Sequence, residues 1–288
     1  MRYGLEFPNA GVCGDARVLA ELAQLAEASG WDGVFLEDYI THWSNAPTCD
    51  PWIALAAMAL RTDRIRLGTE VTPLARRRPW KIARELVTLD HLSGGRMILG
   101  VGTGDPNDPS LAQVGEVIDA KGRAAMLDEA LDVLNGLWSG EPFSYSGAHY
   151  QLRDATFLPM PVQRPRIPIW VGGGWPHVGP TRRAARWDGS CLYKAPASGD
   201  WADFTPADVR QLRADIARYR GTDDVAIAPF EIVLGGRRRG ADWEQERALI
   251  ASLAEAGATW WIEYIPVDFG SLDEVRTRIA AGPLASAA

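Results

Sequence analysis

Three lysines, four histidines and three cysteines are all that this 288-residue sequence contains, and each scarcity removes a class of chemistry. Cys13, Cys49 and Cys191 are widely spaced, odd in number and form no CxxC pair, so neither a disulfide framework nor a cysteine-ligated zinc site is indicated. A reducing, cytoplasmic setting is the expectation. His42, His91, His149 and His177 show no metal-ligand spacing, and no metal is expected. HExxH, GxSxG, GxxxxGK[ST] and the EF-hand loop are missing, which argues against zinc hydrolases, elbow-type serine hydrolases and P-loop NTPases. No run of 18 apolar residues occurs, and Met1 to Phe7 reads as a strand, so neither a membrane span nor a signal peptide is expected. Positive charge is also short: 30 Lys+Arg stand against 37 Asp+Glu, a net charge of −7. Nucleic acid is therefore not the expected partner, since phosphate binding needs a basic face.

What is present is a chain with 47% hydrophobic residues and 12 tryptophans, enough for a large core and for aromatic walls around a flat ligand. Short apolar runs alternate with amphipathic stretches. Strands are expected at 3–7, 31–36, 65–71, 97–101, 167–171, 189–193, 226–234 and 259–265. Helices are expected at 16–29, 51–61, 79–92, 123–138, 177–186, 206–220, 242–256 and 272–281, several opened by proline and closed by glycine. A long polar loop at 104–122 follows the fourth strand, and a small hairpin at 143–152 precedes the fifth. Eight βα units in succession indicate an α/β fold, a single (β/α)8 barrel domain over 1–288. An open doubly wound sheet would carry a glycine fingerprint after its first strand, where this chain has Phe7-Pro8-Asn9-Ala10-Gly11.

Barrels work at the C-terminal ends of their strands. There the sequence places Glu37-Asp38-Tyr39, Glu70-Val71, Gly102-Thr103, Gly172-Gly173-Gly174-Trp175 and Glu263-Tyr264. The three consecutive glycines before a helix read either as a phosphate cradle or as a permissive turn. Trp170 and Trp175 read as flanks of a planar ligand or as packing. Asp38, Glu70 and Glu263 are the candidates for proton handling, because carboxylates sharing a confined site raise one another's pKa. For Glu263 this supposes that Ile262 and Tyr264 pack outward. The triplets Arg76-Arg77-Arg78 and Arg237-Arg238-Arg239 read as solvated loops, His91 as a helix-end partner of carbonyls, and Cys13 as the thiol to test.

Three segments resemble the bacterial luciferase-like superfamily of flavin- or deazaflavin (F420)-dependent oxidoreductases. They are RIRLGTEVTP (64–73), TLDHLSGGR (88–96) running into ILGVG (98–102), and PIWVGGG (168–174) with AARWDG (184–189) after it. The resemblance implies a barrel that holds reduced FMN or F420 in its mouth. It implies the cofactor phosphate at Gly172, Gly173 and Gly174, with Trp175 beside them. The ring would lie against Glu70 and Val71, joined by a non-prolyl cis peptide, and near Gly102 and Thr103. Where relatives often carry Asp-His or Glu-His, this chain has Asp38-Tyr39, and tyrosine cannot serve as an imidazole base; His42 is the nearest substitute.

The expected activity is a monooxygenase that uses reduced FMN, supplied by a separate flavin reductase, and oxygen on a small organic substrate. The alternative is F420-dependent hydride transfer. From other classes come a non-catalytic flavin-binding protein and a cofactor-free lyase or isomerase that holds a substrate phosphate at the glycine turn, with Lys194 as its one strand-end lysine. A homodimer is compatible with the apolar residues Ala56, Ala57 and Leu60, which suit an interface or the core equally.

Overall fold

The computed structural model describes residues 1–195, 202–222 and 229–284. Eight strands alternate with helices: β1 (Arg2–Phe7), α1 (Ala16–Ala28), β2 (Gly33–Leu36), α2 (Pro51–Arg61), β3 (Arg66–Pro73), α3 (Pro79–Ser93) and β4 (Met97–Gly102) form the first half. A one-turn helix α4 (Pro109–Ala112), the long α5 (Ala120–Leu137) and a hairpin of β5 (Phe143–Ser146) and β6 (Gln151–Ala155) follow. The barrel resumes with β7 (Ile169–Trp175), α6 (Val178–Ala184), β8 (Gly189–Lys194), α7 (Pro206–Arg220), β9 (Glu231–Arg237), α8 (Trp243–Ala256), β10 (Trp260–Tyr264) and α9 (Leu272–Ala280). The eight barrel strands close in the order β1-β10-β9-β8-β7-β4-β3-β2, and every neighbouring pair is parallel. This is the (β/α)8 barrel expected from the sequence.

Local chemistry explains most element ends. Asp15 and Asp50 cap α1 and α2 by accepting backbone N–H bonds, and Pro51 takes the first helical position. Gly94 ends α3 in the left-handed conformation, φ 67°. Most boundaries fall within two residues of expectation, and the larger differences have local causes. The α5 helix starts at Ala120 instead of 123, because Asp119 accepts from the Gly122 N–H and caps it. The β7 strand runs on through Gly172–Gly174 to Trp175, because β8 keeps pairing with it as far as Lys194. The expected seventh strand, 226–234, begins outside the described residues, and β9 continues beyond it to Arg237.

Inward and outward side chains separate by the two-residue period of the strands. Phe35, Ile98, Trp170, Val233, Trp260 and Ile262 form a buried cluster of their own inside the barrel. Phe35 lies 5.1 Å from Trp170 and 5.8 Å from Trp260, ring to ring. Glycines make this possible: a Cβ on Gly33 would stand 2.8 Å from the Phe35 ring, and one on Gly189 would stand 2.6 Å from Trp170. Between barrel and helices lies the larger core, with Leu5, Phe7, Val34, Leu36, Leu67, Leu99 and Val171 on the outward faces of the strands.

Arg96, just before β4, ties the second and third βα units together from inside. Its guanidinium donates to the carbonyls of Ala59, Thr62, Ile65 and Ser93 and to the Thr62 hydroxyl, at 2.6–3.0 Å. Replacing it leaves several buried carbonyls without a donor. Arg96→Met is therefore expected to lower stability by about 3 kcal/mol, read as a fall in urea midpoint at unchanged slope. A loss below about 0.5 kcal/mol, the range of ordinary surface substitutions, would show that these bonds hold nothing.

Candidate active site

Above the aromatic plug, the barrel opens into a cavity of about 880 Å³, the size of a cofactor or drug-sized ligand site. Its floor and walls include Glu6, Glu37, Tyr39, Glu70, Cys191 and Tyr264. Strand register puts them there. Glu6 pairs with Tyr264 across β1–β10, one inward step above the Gly4–Ile262 pair. Glu37 lies two residues beyond inward-facing Phe35, its N–H bonded to the Phe7 carbonyl at 2.9 Å. On β3 the Glu70–Val71 peptide is cis, as the resemblance implies, and the register against β4 shifts between Thr69 and Thr72. Val71, Gly102, Thr103, Gly172 and Gly173 continue the wall.

Three carboxyls thus share one partly closed space. The Tyr39 hydroxyl donates to Glu37 Oε1 at 3.0 Å and the Tyr264 hydroxyl to Oε2 at 3.1 Å. Burial pushes Glu37 up to about 7 against these two bonds, with Asp108 adding repulsion. Glu70 is pushed up to about 8 by burial, and its Oε2 has no partner. Glu6 rises well above the carboxylate range through burial and the neighbouring charges of Glu70 and Glu37. Both tyrosines are also raised, by burial first and then by Glu37. Cys191 rises likewise, so the thiol in the wall stays protonated.

The other expected residues lie elsewhere. Asp38 faces outward, where Arg76 and Arg77 donate to its carboxylate at 2.6–3.0 Å. Burial opposes the charge, but the two guanidiniums outweigh it and hold this carboxyl below its usual value. Arg76 is itself buried, so the triplet containing it is not a solvated loop. Glu263 also points away from the mouth, because Trp260 and Ile262 fill the interior and the period sends Tyr264, not Glu263, inward. Arg239 donates to Glu263 Oε2 at 2.9 Å and Arg278 from α9 pairs with it as well. The second arginine triplet is engaged too: Arg237 pairs with Asp203 and Glu246, and Arg238 with Asp268.

Gly174 and Trp175 stand outside the lining of the cavity; the Trp175 indole donates to Asp215 at 3.2 Å and packs on Phe204. Gly172–Gly174 are strand, not turn, yet β4 pairs with β7 only as far as Val171, so their backbone edge beyond it is open on that side. His42 is buried against the Tyr39 ring with its Nδ1 2.7 Å from the Ser44 hydroxyl, outside the lining. His91 meets the Met160 carbonyl, Lys194 meets Asp208, and Cys13 is a buried thiol pushed up to about 12 by burial. Glu6 and Tyr264 escape inspection of the sequence because nothing in it reveals which parity of β1 and β10 faces inward. A clue exists: Glu6 is a charged residue flanked by Leu5 and Phe7 in the buried part of β1.

The raised carboxyls make a pH-dependent contribution to stability. Glu70 stays protonated in the fold from its ordinary value of 4.5 to about 8, whereas the unfolded chain releases that proton near 4.5. Where the native state binds more protons, stability falls as pH rises. Wild type is therefore expected to lose stability relative to Glu70→Gln between about pH 4.5 and 8, with a constant difference above. Parallel stability curves across that window in urea titrations would place Glu70 in ordinary solvent.

A family model described as "Luciferase-like monooxygenase" matches residues 6–281. The F420-dependent glucose-6-phosphate dehydrogenase of Microbacterium testaceum is 39% identical over 174 residues, covering 58% of this chain and 49% of that protein. The chain thus spans about half the length of the curated relatives it matches. Among solved structures, the coenzyme F420 dependent tetrahydromethanopterin reductase from Methanopyrus kandleri superposes with TM-score 0.72 at 17% identity, over 98% of both chains. A monooxygenase from Streptomyces bottropensis gives 0.74 at 20% identity, over 97% of this chain and 96% of its own. At these identities the structures share the fold alone. The match across residues 6–281 makes this chain a member of the luciferase-like monooxygenase family.

Proposed function

We propose that the chain is an F420-dependent oxidoreductase that passes a hydride between the deazaflavin and a small organic substrate. The observation that carries this reading is the similarity to F420-dependent dehydrogenases over 58% of the chain, joined to the large cavity over the family's cis peptide. It replaces the monooxygenase expectation, for which the support is resemblance of fold at 20% identity or less. The relatives' sugar phosphate is not carried over with the cofactor.

The residues fit a planar, phosphate-bearing cofactor. A Cβ on Gly102 would stand 2.8 Å from Val71 Cγ2, and one on Gly172 would stand 3.0 Å from Val71 Cγ1. The wall is flat because both positions lack side chains. Gly173, at φ 145°, keeps a backbone that L side chains rarely adopt, and its edge would meet the phosphate together with Gly172. When bound, F420 supplies hydride acceptance or donation. The protein's own work is to exclude water, to orient, and to manage the accompanying proton. Glu37, held ionisable near neutrality between two tyrosine hydroxyls, suits the proton at its carboxylate oxygens; Glu70 and Glu6 share that charge space. Tyr39 then serves as a hydrogen-bond donor and not as a base.

Tryptophan quenching of the purified chain by F420 and by FMN tests the reading. Tight F420 binding with FMN weaker by tenfold or more is expected, about 1.4 kcal/mol. Gly172→Leu, with an unchanged circular dichroism spectrum, is expected to weaken F420 by at least the same factor. Preference for FMN would return the chain to oxygen chemistry, and an unaffected Gly172→Leu would move the phosphate elsewhere.

A further inference from the structure

The floor of the cavity gathers carboxyls that no cation among the described residues answers. Glu6 is 8% exposed, faces the cavity, and no donor or cation among the described residues reaches its carboxyl. Glu70 Oε2 is buried and likewise unpartnered. Glu37, just beyond β2, adds a third carboxyl whose donors are the two tyrosine hydroxyls. Elsewhere the chain neutralises buried acids with arginine, as at Asp38 and Glu263. Here the positive residue among the described lining is Arg123, and it is turned to the carbonyls of Ile118 and Gly104 at 2.9 and 3.3 Å.

We propose that the Glu6–Glu37–Glu70 floor is a binding site for the ammonium group of a primary amine. Buried carboxylates need cations or donors, and a primary ammonium brings one charge with three N–H donors to the open oxygens of Glu6 and Glu70. A compact metal ion suits the site less, since no group of three His, Cys, Asp or Glu among the described residues is disposed to hold one. Tyr39, Trp43 and Tyr264 add aromatic rings to the lining, and aromatic walls favour cations further. An anion is repelled. As the substrate of a hydride-transfer enzyme, this amine rests on the reading above; binding of the cation to the chain does not.

The groups facing the site are Glu37 just after β2, Glu70 from β3, Tyr264 from β10, Cys191 from β8, Tyr39, Asp105 and Asp108 from the loops, and Arg123 from α5. Tyr264 and Cys191 stay protonated. The carboxyls are therefore what changes charge near neutrality, and an arriving cation favours their ionised forms. Binding releases protons and tightens with pH.

The test is isothermal titration of the purified full chain with ethylammonium chloride, with propionate and magnesium chloride as the other probes. Ethylammonium is expected to bind at least about tenfold more tightly at pH 8.5 than at pH 6, releasing protons seen as a buffer-dependent heat. Glu6→Gln and Glu70→Gln are each expected to weaken it at least fivefold, whereas Glu141→Gln on the exposed surface leaves it unchanged. Thermal melts confirm that the variants fold. Absent or pH-independent ethylammonium binding, equal binding of propionate, or magnesium binding lost in the same variants would each overturn the proposal. F420 quenching is read separately, so failure of the cofactor assignment and failure of the amine site are told apart.

Discussion

The two-residue period of eight parallel strands, locked by barrel closure, decides the chemistry of every position at the mouth. Once Trp170, Trp260, Phe35 and Ile262 fill the interior, the parity of each strand is settled: slipping a strand by one residue would bury its outward set inside and expel an indole. The same parity carries Glu6, Glu37 and Tyr264 upward into the cavity and sends Asp38 and Glu263 out between strand and helix. Neighbours in sequence, Glu37 and Asp38, thereby have opposite fates. One stands between two tyrosine hydroxyls and titrates near 7; the other is locked in an arginine clamp and stays ionised.

Much of the architecture is legible without coordinates, because helix caps and strand–helix alternation are local signals. Asp50-Pro51 opens α2, Pro79 and Gly94 bracket α3, and the eight strands stand within a few residues of where apolar runs predict them. Glu70, Val71, Gly102, Thr103, Gly172 and Gly173 are found at the cavity because strand ends locate the mouth of any such barrel. Parity is not legible in this way. Trp260-Trp261-Ile262 is apolar on both faces, so hydrophobic alternation is silent, and the inward side follows from packing with Phe35 and Trp170 on distant strands. For the same reason Arg76, Arg77 and Arg239 look solvated in sequence and prove to be partners of buried acids.

The aromatic plug also sets the depth of the cavity. Glycines at Gly33 and Gly189 admit large rings low in the barrel, whereas Gly102 and Gly172 beside Val71 leave the upper wall flat. Large and small residues are thus sorted by height: rings where the barrel must be filled, bare backbone where something else must fit. A barrel built only for stability would fill the upper layer as well, since every unfilled layer forfeits burial.

The treatment of charge follows the same division. Asp38 and Glu263 show that this sequence has arginines to spare for buried acids, and it sets them against these carboxylates where structure alone is at stake. At the floor it withholds them, and burial raises all three carboxyls, Glu6 further through Glu70 and Glu37, at the cost of stability near neutral pH. Groups kept in a costly state by a fold that could relieve them are characteristic of sites where the relief comes from a ligand. The unneutralised floor and the flat upper wall are therefore two halves of one construction, the first shaped by charge and the second by the absence of side chains.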